Sequence, residues 1–168
     1  MSNVEHERQA AAIVPNLAIL TLSDTRGVEA DTSGQTIRRL AEAAGMRVAD
    51  YQLIRDEPAT LRAWLERWSA RDDVDAIVTN GGTGISPRDQ TIDVVRGWIT
   101  LELPGFGEIF RMLSYEQVGP AAMMSRAVGG SRGRQAIFAL PGSTKAVELA
   151  MEKLIVPQLR HVLRELRK

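Results

Sequence analysis

Asp75-Ala76-Ile77-Val78-Thr79-Asn80-Gly81-Gly82-Thr83-Gly84-Ile85-Ser86-Pro87-Arg88-Asp89 is a short apolar, β-branched run that passes directly into a glycine-rich loop, and helical spacing resumes over residues 91–98. Strand, polar loop and helix in that order form the repeating unit of a parallel α/β sheet. The same order recurs on both sides. Upstream, residues 17–22 predict a strand that exits into Ser23-Asp24-Thr25-Arg26-Gly27. A helix is then predicted over residues 34–44, with Ser33 as its N-cap and Gly45 closing it. Residues 48–54 predict a second strand, after which Pro58 opens a helix whose Leu61, Trp64, Leu65 and Trp68 form one apolar stripe. Both tryptophans are expected to pack. Downstream, residues 106–117 predict a helix ended by Gly119-Pro120, and residues 136–140 a central strand buried on both faces. Pro141-Gly142-Ser143 then turns into a long helix from Thr144 to about Arg167, kinked or broken near Pro157.

The chain has 168 residues, 44% of them hydrophobic, which suits one domain with a core of its own. We expect a single domain over residues 15–168, preceded by a lead-in tail over 1–14. Lys plus Arg and Asp plus Glu balance at 21 each, so no net positive field draws the chain to nucleic acid or an anionic membrane. Any phosphate site must be local. No cysteine is present, which excludes disulfides, thiolate metal sites and a cysteine nucleophile. The two histidines, His6 and His161, assemble neither a Ser-His-Asp triad nor a two-His metal helix, and both are expected on the surface. The longest apolar runs fall far short of the roughly 20 residues that span a bilayer, and the acidic N-terminus does not match a secretory leader. The expected location is the cytoplasm.

Every strand exit carries polar residues, and parallel strands deliver their carboxyl ends to one edge, where open α/β sheets bind ligands. Thr79, Gly81, Gly82, Thr83 and Gly84 let backbone N–H groups approach an anion, although the spacing is neither a Walker A loop nor a dinucleotide fingerprint. Asp89 beside such a loop is unfavourable unless a cation intervenes, so it reads either as a Mg²⁺ ligand or as the N-cap of the next helix. Asp56, past the second strand, reads as its partner or as a turn residue before Pro58. Ser23 and Asp24, with Gly142 and Ser143, occupy the equivalent exits. The C-terminal Arg160, Arg164, Arg167 and Lys168 read as the ordinary complement of a helix dipole.

Thr79-Asn80-Gly81-Gly82-Thr83-Gly84 with Ser86-Pro87-Arg88-Asp89, then Pro104-Gly105-Phe106-Gly107-Glu108 and Phe110-Arg111, resembles the molybdopterin-binding domain of MoaB, MogA, gephyrin and plant Cnx proteins. Ser23-Asp24-Thr25-Arg26, Ser125-Arg126-Ala127 and Leu140-Pro141-Gly142-Ser143 extend the likeness in the same order. Phe110 to Ser114 and Pro141 to Ala146 lean toward the MoaB branch. The resemblance implies a three-layer α/β/α fold with a mostly parallel sheet, assembled as a homotrimer or homohexamer. It implies binding of molybdopterin and of ATP or GTP with Mg²⁺, and molybdopterin adenylyltransferase activity. Asp56 and Asp89 match the family's two functional aspartates, implied to be catalytic and to orient the metal. Ser114, Ser125, Gly142 and Ser143 are implied to help hold pterin or nucleotide. On the MoaB branch the alternative is a molybdopterin- or GTP-binding protein that does not adenylylate; a scaffold role is a third. One departure stands out, because the family's Asp-x-Thr-Pro-Glu is here Asp89-Gln90-Thr91-Ile92-Asp93.

Overall fold

The computed structural model describes residues 12–25 and 27–168, so Arg26, His6 and most of the expected lead-in lie outside the described residues. Six strands form one sheet: β1 (Asn16–Leu22), β2 (Arg47–Ile54), β3 (Ala76–Asn80), β4 (Leu101–Glu102), β5 (Val128–Arg132) and β6 (Gln135–Leu140), in the spatial order β2-β1-β3-β6-β5-β4. The four strands β2, β1, β3 and β6 are parallel, and β5 and β4 add an antiparallel edge. The helices are α1 (Thr32–Ala43), α2 (Pro58–Ser69), α3 (Thr91–Trp98), α4 (Pro104–Val118), α5 (Thr144–Ala150) and α6 (Val156–Leu166).

Alternation along the buried strands sorts these helices into two outer layers. Leu17, Ile19, Val78 and Phe138 face α1, α4, α5 and α6. Leu20, Ile77, Ile137 and Ala139 face α2 and α3, where Leu61, Leu65 and Trp68 are fully buried. Trp68 also donates its indole N–H to Asp50 at 3.0 Å, and the Trp64 and Trp68 rings lie 5.2 Å apart, so the tryptophan stripe is packing. The result is the three-layer α/β/α arrangement with a mostly parallel sheet.

One expectation is corrected. Asp31, not Ser33, caps α1: its carboxylate accepts the Gly34 N–H at 2.9 Å. Ser33 is committed elsewhere, donating to Asn80 at 2.8 Å in the interior, so tertiary packing selects among three adjacent capping residues. The antiparallel edge strands β4 and β5 are not expected from the sequence, because Gly129 and Gly130 weaken a strand pattern. Here a Cβ on Gly129 would sit 2.9 Å from the Phe106 ring, and one on Gly130 2.6 Å from the Leu101 carbonyl, so close approach requires glycine. As expected, the C-terminal helix is interrupted near Pro157, through a π-helical segment, Met151–Ile155; proline cannot donate an N–H and crowds the preceding turn.

Candidate active site at the carboxyl edge

Strand register fixes where the site forms. Leu22 pairs with Ile54, Thr21 with Asn80, and Asn80 with Leu140, so β1, β2, β3 and β6 end at one rim. Ser23-Asp24, Arg55-Asp56, Gly81-Gly82 and Pro141-Gly142 therefore emerge side by side. The Ser23 N–H donates to the Ile54 carbonyl at 2.9 Å, the Asp56 N–H to the Asp24 carboxylate at 3.2 Å, and the Gly81 N–H to the Leu140 carbonyl at 3.0 Å.

That last bond gives Gly81 a structural part in the loop. Gly81 does not offer its N–H to a ligand; it supplies the turn, with φ of +103° and no room for a Cβ, which would lie 2.2 Å from the Leu22 carbonyl. Gly82 follows at φ +62°, and a Cβ there would meet Thr91 Oγ1 at 2.2 Å and the Asp56 carboxylate at 2.6 Å. Glycine at 82 is thus what lets Asp56 close over the loop. The N–H groups of Gly82, Thr83 and Gly84 make no backbone hydrogen bond among the described residues, which leaves them for an anion.

Neither carboxylate caps a helix, although Asp56 does sit in the turn before Pro58, where the Glu57 N–H donates to the Arg55 carbonyl at 2.8 Å. The N-cap residue of α3 is Gln90 and that of α2 is Glu57, and neither helix has a side-chain cap. Asp89 instead folds back on its own loop, accepting the Ser86 N–H at 3.0 Å. Burial first, then the charges of Asp24 and Asp89, push the Asp56 carboxyl above the usual aspartate range, against the opposing pull of Arg88 and the Thr91 hydroxyl. Asp24 is held below that range chiefly by the hydrogen bond from Arg88, whose Nε lies 2.7 Å from it and whose other end reaches Glu57 at 3.4 Å.

No group of three or more His, Cys, Asp or Glu side chains forms a metal cage among the described residues. Mg²⁺ needs no such cage, since it uses one or two carboxylates and completes its shell with phosphate oxygens and water. Two neighbouring carboxylates, one of them raising the proton affinity of the other, fit this cation, and the unused backbone N–H donors beside them fit the phosphate oxygens that would complete its shell.

The remaining expected residues form a second group. Ser114, Ser125 and Ser143 line a cavity of about 160 Å³ with Phe110, Pro141 and Lys145. Ser125 Oγ is buried without a hydrogen-bond partner, as is the Oγ1 of Thr79 beneath the glycine loop. At about 160 Å³ the cavity holds part of a ligand, since whole small-molecule sites run to roughly 300–1,000 Å³. Gly142 joins the two groups: a Cβ on it would be 3.3 Å from Gly81 Cα. A larger cleft, about 640 Å³, opens at the opposite edge of the sheet, but its Arg71 and Arg167 are neutralised by Asp50, Asp73 and Asp75. The exits of the four parallel strands do not reach it.

Sequence reasoning missed the support beneath the loop. Asp31, fully buried, accepts from Tyr51, Ser33 and Gly34, while Asn80 takes the Ser33 hydroxyl and donates to Thr21 at 2.9 Å. Burial raises the Asp31 carboxyl, but its donors outweigh that and hold it below the usual range. The network anchors Asn80, the residue before the loop; the only sequence trace was a run of polar residues with no apolar period.

Comparison with known proteins identifies the family. The family described as "Probable molybdopterin binding domain" matches residues 18–161. The chain is 50% identical over 167 residues to the molybdenum cofactor biosynthesis protein B of Halalkalibacterium halodurans, covering 99% of this chain and 98% of that one. A crystal structure of a molybdenum cofactor biosynthesis protein B superposes with a TM-score of 0.90 at 45% identity, over 92% of this chain and 97% of that one. A MogA structure superposes at 0.79 with 29% identity, over 90% and 99%. With the family match, the full-length likeness and the shared fold in agreement, this chain belongs to the molybdopterin-binding family of molybdenum cofactor biosynthesis proteins.

Proposed function

We propose that the chain is a molybdopterin adenylyltransferase, transferring AMP from ATP to the terminal phosphate of molybdopterin. The observation that carries this reading is the convergence of Asp56 and Asp89 on a loop whose Gly82, Thr83 and Gly84 N–H groups are uncommitted, with neither carboxylate used as a helix cap. In the reaction an oxygen of the molybdopterin phosphate bonds to the α-phosphorus of ATP, and the bond from that phosphorus to the β-phosphate oxygen breaks, releasing pyrophosphate. A phosphate monoester is already ionised at neutral pH, so the chain needs no strong general base and its task is alignment and charge neutralisation. That is consistent with a site built without histidine. Asp56 and Asp89 are the residues that would hold Mg²⁺, which when bound offsets phosphate charge. The loop N–H groups orient the phosphates, and Ser114, Ser125 and Ser143 receive the pterin or nucleotide in the α4 cavity.

Release of pyrophosphate that requires both molybdopterin and ATP tests the reading; release with ATP alone, or none with both, contradicts it. A second reading is favoured by one comparison, since identity is higher to proteins named B than to MogA. On it, the same site binds molybdopterin and GTP or ATP without transfer, and molybdopterin is retained while no pyrophosphate forms.

We also propose that the chain acts as a homotrimer or homohexamer. The support is an exposed apolar strip along α4 and the turn after it, where Ile109, Met112, Tyr115, Val118 and Met123 are 44–81% exposed. Sedimentation should return three or six times the 18.5 kDa chain mass, and a monomer at micromolar concentration would sink the proposal.

A further inference from the structure

The acidic rim and the α4 cavity are joined by one side chain, that of Arg126, which touches neither Asp56 nor the cavity serines. Arg126 follows Ser125, and its Nε donates to the Gly84 carbonyl at 3.0 Å. One Nη donates to the Asp89 carbonyl, and the other reaches both Asp93 carboxylate oxygens at 3.1 and 3.3 Å. Gly84 and Asp89 are the two ends of residues 84–89. Inside that span the Asp89 carboxylate accepts the Ser86 N–H and the Asp89 N–H donates to the Ser86 carbonyl at 2.9 Å.

A planar guanidinium with each nitrogen engaged fixes orientation as well as distance, which an ammonium on a flexible stem does not. Those engaged donors also leave Arg126 poorly suited to grip substrate phosphate itself. The loop tolerates little slack, because a Cβ on Gly84 would already lie 2.8 Å from the Asp89 carboxylate. Asp93 is the outer anchor, 62% exposed, and it replaces the glutamate of the family pattern.

We infer that Arg126 is a positioning residue for the reaction: clamped by Asp93, it holds both ends of the 84–89 loop and so sets the Asp89 carboxylate, tying the backbone that carries Ser125 to it. The inference rests on the adenylyltransferase reading for its activity consequence and on the clamp geometry for the rest.

Amide hydrogen exchange and turnover on Arg126→Lys and Asp93→Asn test it. In Arg126→Lys the Ser86 and Asp89 amides should exchange about tenfold faster while those of Val78 and Ile137, in the core strands, stay unchanged. Turnover should fall about a hundredfold with the KM for molybdopterin within about threefold, as expected for a misplaced group and not a lost binding contact. Asp93→Asn, a surface change that leaves the fold intact, should move the same two amides by a smaller factor, and Asp93→Glu should restore them. Unchanged Ser86 and Asp89 exchange in both variants, or core amides accelerating in parallel with them, overturns the inference. Should the wild type prove unable to adenylylate, the functional reading fails and the exchange result still decides the clamp.

Discussion

Gly82→Ala is expected to lower turnover about a hundredfold or more while leaving a folded but weakened protein. A left-handed backbone at φ +62° costs alanine about 1–2 kcal/mol, and the new methyl would overlap Thr91 Oγ1 at 2.2 Å and the Asp56 carboxylate at 2.6 Å. Either the loop or Asp56 must move, and a displacement of about 1 Å at a reacting centre lowers turnover roughly a hundredfold or more. Gly97→Ala is the control. Gly97 lies within α3, and a methyl added there would meet nothing within 4 Å, so alanine should stabilise by about 0.5–1 kcal/mol and leave activity alone. Denaturant unfolding and turnover on both variants check this, and Gly82→Ala behaving like Gly97→Ala would show that the loop does not shape the site.

Asp56→Asn should separate function from stability. The carboxylate sits partly buried beside Asp24 and Asp89, and its proton affinity is raised in the fold. A folded pKa above the ordinary value of about 3.9 means that the native state binds the proton more tightly than the unfolded chain, so the ionised form destabilises the ligand-free protein at neutral pH. The amide removes that charge, and the variant should melt higher at pH 7. This advantage should fade as pH falls through the raised pKa and vanish below the unfolded value, where wild-type Asp56 is itself neutral. Turnover should drop on the order of 10²–10³-fold, as for loss of one preorganised charge-stabilising group. A variant that melts lower at pH 7 yet keeps full turnover would refute both halves of this expectation.

Much of the site is readable from the chain alone, because its residues stand at strand exits and parallel pairing leaves those exits no other place to go. Asp24, Asp56, Gly82 and Gly142 meet for that reason. Local pattern does not show which aspartate caps a helix: Asp31, Asp56 and Asp89 all precede helices, and only the first caps one. Nor does it show that the Gly81 N–H is consumed by Leu140, a bond between residues distant in sequence. The β5 strand is hidden by glycines whose need arises from Phe106 and Leu101 across the packing interface. Arg126 is visible in a motif, but its purpose lies in carbonyls 37 and 42 residues away.

Transfer of AMP at the rim formed by Asp56, Asp89 and the glycine loop is decided by mass spectrometry of the products from protein, molybdopterin, ATP and Mg²⁺, with Asp89→Asn and GTP in parallel. Wild-type protein with ATP is predicted to yield adenylyl-molybdopterin, and Asp89→Asn to lose it. Molybdopterin that stays bound but unconverted in the wild type, or equal product from Asp89→Asn, would contradict the claim.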